Sequence, residues 1–97
     1  MRTLADQQFA DQTVELDGTT YERCRFERCL LVYRGGDVPG LIHCEFHDCE
    51  WRFDAAAART LAFLAGLAEG GLGELVDATL ESIRNGTVAP GDPMRLN

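Results

Sequence analysis

The chain has 97 residues, 45% of them hydrophobic, and carries a net charge of −7 at pH 7. This length suits a single domain with a small core, for which self-association is a common source of additional stability. The excess of acidic residues repels phosphate backbones, so the composition argues against direct nucleic-acid binding and is compatible with a basic partner or a protein that itself binds DNA.

Residues 1–13 precede the most regular part of the chain and are expected to form either a partial extra coil or an irregular N-terminal cap. Leu4 and Phe9 continue the five-residue spacing of the segment that follows. In that spacing, Asp6 and Asp11 fall in a position that should face inward, which argues against a complete coil. The segment also lacks the apolar run of a signal peptide.

The most apolar stretch of the chain, residues 61–68, is eight residues long. A helix that crosses a membrane needs about 20 apolar residues. We therefore expect a cytoplasmic protein without a membrane partner. In that compartment its four cysteines should remain thiols.

Residues 14–53 follow a five-residue period, VELDG, TTYER, CRFER, CLLVY, RGGDV, PGLIH, CEFHD and CEWRF. The first position of each five is compact and uncharged except at Arg34, and the third is large and apolar in seven of the eight repeats. Alternation within each five is typical of a short strand, and the remaining positions form a corner. Four such sides make a coil of twenty residues. The run from Arg34 to Gly36 indicates a bulged or looped-out turn at one corner.

This register resembles that of the pentapeptide-repeat proteins, whose chains wind into a right-handed quadrilateral β-helix with a small and a large apolar residue of each five facing inward. The resemblance covers residues 14–53. It departs from the usual pattern in its first-position cysteines, in its third-position aromatics, and at Arg25, Leu30, Glu45 and Glu50, where Asp or Asn is frequent. It implies a mainly β fold with a short right-handed quadrilateral β-helix of about two coils, followed by two C-terminal helices.

Helix-forming residues dominate the region 54–86. Asp54 is a suitable N-cap for the first helix, and Gly70 with Gly71 is a suitable stop. Apolar residues lie on more than one side of this helix, which predicts that it is mostly buried.

A second helix is expected from about Gly73 to Asn85, because apolar residues recur there at helical spacing and acidic residues occupy the other side. It ends at the Asn85–Gly86 pair. Residues 87–97 contain two prolines and few apolar anchors and are expected to form a flexible tail.

The cysteines and histidines raise the possibility of a zinc site, since Cys24, Cys29, Cys44 and Cys49 could act with His43 and His47. The repeat sends all four cysteines inward and both histidines outward, so the two kinds of ligand cannot share an ion. The cysteines are better interpreted as small apolar packing residues. We expect no metal and no cofactor.

Catalytic groups are equally scarce in the sequence. Cys49 and His47 point to opposite sides of a strand, Ser82 is the single serine, and the chain has no lysine. The acidic residues near Arg52 are expected to form a solvated charged surface. We therefore assign no catalytic residue and expect a protein that is not an enzyme.

Two apolar stripes are the candidate interaction surfaces. One lies on the outside of the coil, where the chain's own first helix or another subunit would cover it. The other lies on the second helix and is the leading surface for a homodimer. Their residues are Leu30, Val32, Tyr33 and Phe53 on the coil, and Leu75, Val76, Leu80 and Ile83 on the second helix.

Three functions are compatible with these features. The first is a small non-enzymatic protein-interaction module that forms a homodimer. The second, which the resemblance implies, is an acidic mimic of duplex DNA that inhibits or protects a DNA-binding protein such as a topoisomerase, although two coils of about 4.8 Å each are short for that purpose. An enzyme of unknown reaction ranks last because no catalytic constellation is present.

Overall fold

A computed structural model describes residues 2–88 and Gly91. The chain divides into two compact units, Met1–Arg59 and Thr60–Asn97. The described elements are nine strands and two helices: β1 Arg2–Ala5, β2 Gln8–Ala10, β3 Thr13–Glu15, β4 Thr19–Glu22, β5 Arg25–Glu27, β6 Leu30–Tyr33, β7 Gly40–Ile42, β8 Glu45–His47, β9 Glu50–Phe53, α1 Ala55–Glu69 and α2 Gly73–Arg84.

The nine strands form three parallel sheets with the orders β1-β4-β7, β2-β5-β8 and β3-β6-β9. Each sheet therefore takes one strand from each of three successive layers: a first layer of β1 to β3, a second of β4 to β6 and a third of β7 to β9. The fold class predicted from the sequence is confirmed at this level, as a mainly β chain with two C-terminal helices. Three parallel sheets with this strand order fit a fold of stacked coils.

The offset between paired strands changes along the chain. Phe9 pairs with Phe26, 17 residues later, whereas Phe26 pairs with Phe46, 20 residues later. The difference arises on the side that has no described strand, because residues 16–18 join β3 to β4 and the longer segment 34–39 joins β6 to β7. The looped-out turn predicted at Arg34 to Gly36 lies in this longer segment.

This change of offset corrects the predicted register of the first repeat. Val14 was expected in the compact first position, but it pairs with Leu31 and so occupies the large apolar position. Asp6 and Asp11, which were expected to face inward, lie at exposed corners. The physical reason is the short link at residues 16–18, which shifts every earlier residue relative to the later repeats.

The core is a stack of aromatic rings along the sheet β2-β5-β8. The rings of Phe9 and Phe26 lie 5.0 Å apart, and those of Phe26 and Phe46 lie 5.2 Å apart, each pair within 10° of parallel. Phe26, in the middle layer, is fully buried. The other buried members of this core are Val14, Leu16, Tyr21, Cys24, Cys29 and Leu31.

At six corners between strands a residue other than glycine has the left-handed backbone conformation. Their φ angles lie between 51° and 57°, and they repeat at the same offsets as the strands: Asp6, Arg23 and His43 at one corner, and Asp11, Arg28 and Asp48 at the next. This conformation is unfavourable for residues with a Cβ, although Asp adopts it more often than most. The corners therefore need other interactions to hold them.

The predicted helix boundaries agree closely with α1 and α2. The prediction that the first helix is mostly buried is wrong, because Ala57 is its buried residue and Phe63 is 66% exposed. Apolar side chains occur on several sides of α1, and part of that surface stays open. No helix among the described residues is long and apolar enough to cross a membrane. The tail predicted at 87–97 lies mostly outside the described residues.

Candidate interaction surfaces

The structure separates the eight candidate interface residues into three groups. Phe53, Leu80 and Ile83 are exposed, whereas Leu30, Tyr33, Leu75 and Val76 are partly buried. Val32 is 0% exposed. It was expected to face outward as part of the apolar stripe on the coil, and its burial leaves no surface for a partner.

The start of α1 lies close to the turn that follows β6. The first turn of α1 lies against the residues that follow β6, since the backbone N–H of Ala56 donates to the carbonyl of Arg34 at 3.1 Å. A methyl group on Gly35 would lie only 2.6 Å from the backbone nitrogen of Ala57. This part of the outer surface is therefore occupied by the chain itself.

The apolar side of α2 remains an accessible surface. Leu80 is 44% exposed and Ile83 is 56% exposed, although both side chains are large and apolar. Acidic residues, including Glu74 and Glu81, lie on the same helix and are also exposed. We call the residues Leu75, Val76, Leu80 and Ile83 the α2 stripe.

A second apolar surface lies at the end of the third layer, where no further strand follows in the described chain. Trp51 is 47% exposed there, and Leu41 and Ile42 are exposed as well. A cavity of about 290 Å³ opens on this side and is lined by Leu31 and Trp51 among others. The sequence placed Leu41 and Trp51 inside the coil, and both belong to its last twenty residues.

Arginines of the second layer form ion pairs with acidic residues of the first layer at three corners. Arg23 contacts Asp6 at 2.9 Å, Arg28 contacts Asp11 at 2.6 Å, and Arg34 contacts Glu15 at 2.9 Å. Arg34 also reaches Asp54, in the segment after β9, at 3.1 Å. We call these three sets the arginine ladders.

The ladders shift the pKa values of the three arginines and of their first-layer partners, which are Asp6, Asp11 and Glu15. Hydrogen bonds from Arg23 lower the pKa of Asp6, and those from Arg28 lower the pKa of Asp11. In return, the hydrogen bonds and the negative charge of Asp11 raise the pKa of Arg28. The paired groups therefore keep their charges over a wider pH range than they would alone.

Asp17 holds the turn that the sequence predicted as irregular. Its carboxylate accepts backbone hydrogen bonds from Arg34 at 2.8 Å and from Gly36 at 2.7 Å. The bond from the Arg34 N–H is the main cause of a lowered pKa at Asp17. The turn is thus tied to the first layer by charge-assisted hydrogen bonds.

The four cysteines are free. Cys24 and Cys29 are buried, whereas Cys44 and Cys49 are only partly buried because they lie in the third layer. The sulfurs of Cys24, Cys44 and Cys49 lie within hydrogen-bonding distance of carbonyls in the preceding layer, such as Cys49 Sγ to Phe26 O at 3.4 Å. Among residues 2–88 and 91, no group of three or more histidines, cysteines and acids is placed to hold a metal ion.

These features define a small mainly β chain of stacked parallel strands, with charged corners and two accessible apolar surfaces. Comparisons with protein-family models, with curated proteins and with solved structures found no match for this chain. A proposal about its function therefore depends on the geometry of these surfaces.

Proposed function

We propose that this chain is a small non-enzymatic protein-interaction module that forms a homodimer through the α2 stripe. The observation that carries the proposal is the exposure of Leu80 and Ile83 on one helix. Large apolar surfaces on small soluble chains commonly mark protein contacts. A two-fold pairing of identical helices is the usual way in which such a surface becomes buried.

We further propose that the strands belong to a right-handed quadrilateral β-helix of the pentapeptide-repeat kind. Connections between parallel strands of one sheet are nearly always right-handed, which supports the hand. The fourth side would consist of residues 16–18 and 34–39. A backbone hydrogen bond joins these two segments, from Gly18 N–H to Asp37 O at 3.0 Å, and Leu16 N–H donates to Val32 O in β6 at 2.9 Å.

The partner of the module is expected to be basic, or to be a protein that binds DNA. The net charge of −7 attracts such partners and repels nucleic acid itself. The arginine ladders add to this expectation because they already pair the second-layer arginines with acids of the same chain. The charged residues exposed on the third layer are mainly acidic, including Glu45, Asp48 and Glu50.

Sedimentation equilibrium tests the homodimer directly. We expect the unmodified chain to sediment at twice its mass of 10.7 kDa at high micromolar concentration. Leu80→Glu should shift it toward monomer, because the new charge would be left unpaired in an apolar interface. Ile42→Glu is the matched control, since Ile42 and Leu80 are both 44% exposed. A monomeric unmodified chain, or equal dissociation by both variants, would contradict the proposal.

A further inference from the structure

One corner of the fold shows how a layer docks onto the layer before it. At the corner after β5, the ring of Phe26 stacks on Phe9 at 5.0 Å, and two residues later Arg28 contacts Asp11 at 2.6 Å. The second layer therefore binds the first through an aromatic residue and an arginine two positions apart. Phe26 belongs to β5, which pairs parallel with β2, and Arg28 directly follows that strand.

The third layer presents the same arrangement as the first, but no strand follows it among the described residues. Phe46 occupies the position of Phe9 in the aromatic stack, and Asp48 occupies the corner position of Asp11. β8 is the outermost described strand of its sheet. Asp48 is exposed, and the neighbouring Trp51, whose ring lies 5.1 Å from that of Phe46, is 47% exposed.

The backbone carbonyls that precede β2, β5 and β8 form a series of hydrogen-bond acceptors, one in each layer. The carbonyl of Gln7 accepts a hydrogen bond from Arg25 N–H at 2.9 Å, and that of Cys24 accepts one from Glu45 N–H at 3.0 Å. The carbonyl of Cys44 is the next in this series and lies at the edge of the sheet. An edge strand with unpaired backbone groups is a template for an added strand.

We propose that the edge of β8 binds an extended segment of another protein that carries an aromatic residue and, two positions later, an arginine. The segment would lie parallel to β8, with its aromatic ring over Phe46 and its arginine beside Asp48. This inference rests on the proposed function as an interaction module, and it specifies the chemistry of the partner.

A second copy of this chain is a poor occupant of the same edge. Stacking copies in the same direction would place Asp11 of the first layer over Asp48. Like charges in neighbouring positions are destabilising. The strands with an aromatic residue followed by arginine, β4 and β5, lie in the second layer and already pair on both sides.

Trp51 is the single tryptophan of the chain and lies beside the proposed site, so its fluorescence can report binding. The probe is a synthetic peptide with the sequence of residues 24–30 in which serine replaces both cysteines. We expect saturable binding of this peptide. A peptide with glutamate in place of the arginine that corresponds to Arg28 should bind about tenfold more weakly, because the charge-assisted pair with Asp48 is lost.

The matched protein variants are Asp48→Asn and Asp77→Asn. Asparagine tolerates the left-handed conformation of residue 48, so the first variant removes the charge and leaves the corner intact. Asp48→Asn should weaken binding of the arginine peptide about tenfold, whereas Asp77→Asn on α2 should not change it. Absence of saturable binding, equal affinity for the two peptides, or equal weakening by the two variants would overturn the proposal.

Self-association is measured separately on the same proteins by sedimentation. A dimer that persists while the peptide fails to bind would overturn this inference and leave the homodimer intact. A monomer that binds the arginine peptide selectively would overturn the homodimer and leave this inference intact. A concentration-dependent change in Trp51 fluorescence without peptide would show that a second copy occupies the edge, which also overturns the proposal.

Discussion

The guanidinium of Arg28 donates two hydrogen bonds to the carboxylate of Asp11, at 2.6 and 3.0 Å, across the boundary between the first and second layers. Both residues have a positive φ angle, and both lie at the surface. The ion pair therefore joins two residues whose backbone conformations are unfavourable, and it helps to hold the corner in its shape. Arg23 and Asp6 repeat the arrangement one corner earlier.

The ladders make the stability of the chain depend on pH. The pKa values of Asp6 and Asp11 are lowered from 3.8, and that of Glu15 from 4.5, mainly by hydrogen bonds from their arginines. These groups bind fewer protons when folded than when unfolded, so stability must rise with pH in the range where they titrate. Their contribution is complete above about pH 5 and is lost as the pH falls through the lowered folded values.

Urea unfolding followed by Trp51 fluorescence measures this dependence. We expect the free energy of unfolding to decrease as the pH is lowered from about 5 to about 3. Asp11→Asn should show a smaller decrease in the free energy of unfolding, because residue 11 then has no carboxylate to titrate beside Arg28. Asp77→Asn should behave as the unmodified chain. A pH profile that Asp11→Asn leaves unchanged would contradict the assigned role of the ladder.

The aromatic stack predicts a large effect at one position. Phe26 is fully buried between Phe9 and Phe46, so Phe26→Ala should lower the free energy of unfolding by about 3 to 5 kcal/mol. Phe46→Ala should have a smaller effect, since Phe46 is only partly buried. Glu45→Ala is the surface control and should change stability by no more than about 0.5 kcal/mol. Equal effects for Phe26→Ala and Glu45→Ala would contradict the stacked core.

Much of this core could be predicted from the sequence, because CRFER and CEFHD lie twenty residues apart and identify Phe26 and Phe46 as equivalent. The first layer could not be aligned in the same way. Leu4, Phe9 and Val14 keep a five-residue spacing, so the shorter link at 16–18 leaves no trace in the pattern before it. Without that offset, the sequence does not show which corner residues lie above one another.

The surfaces were less predictable than the core. Alternation placed Val32 on the outside of β6, but the structure buries it completely. The arginine ladders depend on long side chains that pair across layers. The five-residue pattern shows only which side of a strand each residue faces, so it does not predict these pairs. The open end at Trp51 follows from the number of layers, which a repeat pattern alone does not limit.

The layers also predict two classes of cysteine. Cys24 and Cys29 are buried in the second layer, whereas Cys44 and Cys49 are partly exposed in the third. A thiol reagent added to the native protein should therefore modify two cysteines faster than the other two, since access limits the reaction. Peptide mapping after brief exposure identifies which are modified. Equal reaction at all four sites would contradict the placement of the third layer at an open end.

Gly35 provides a test of the contact between the turn and the start of α1. Its φ angle is +87°, and an added methyl group would lie 2.6 Å from the backbone nitrogen of Ala57. Gly35→Ala should therefore combine the penalty of the left-handed conformation, about 1 to 2 kcal/mol, with a clash that costs a further ~1 to 3 kcal/mol. Gly18→Ala separates the two effects, because Gly18 has a φ of +71° but its nearest neighbour would lie 4.0 Å away. Urea unfolding followed by Trp51 fluorescence should show a clearly larger loss for Gly35→Ala, and equal losses would mean that α1 does not begin against this turn.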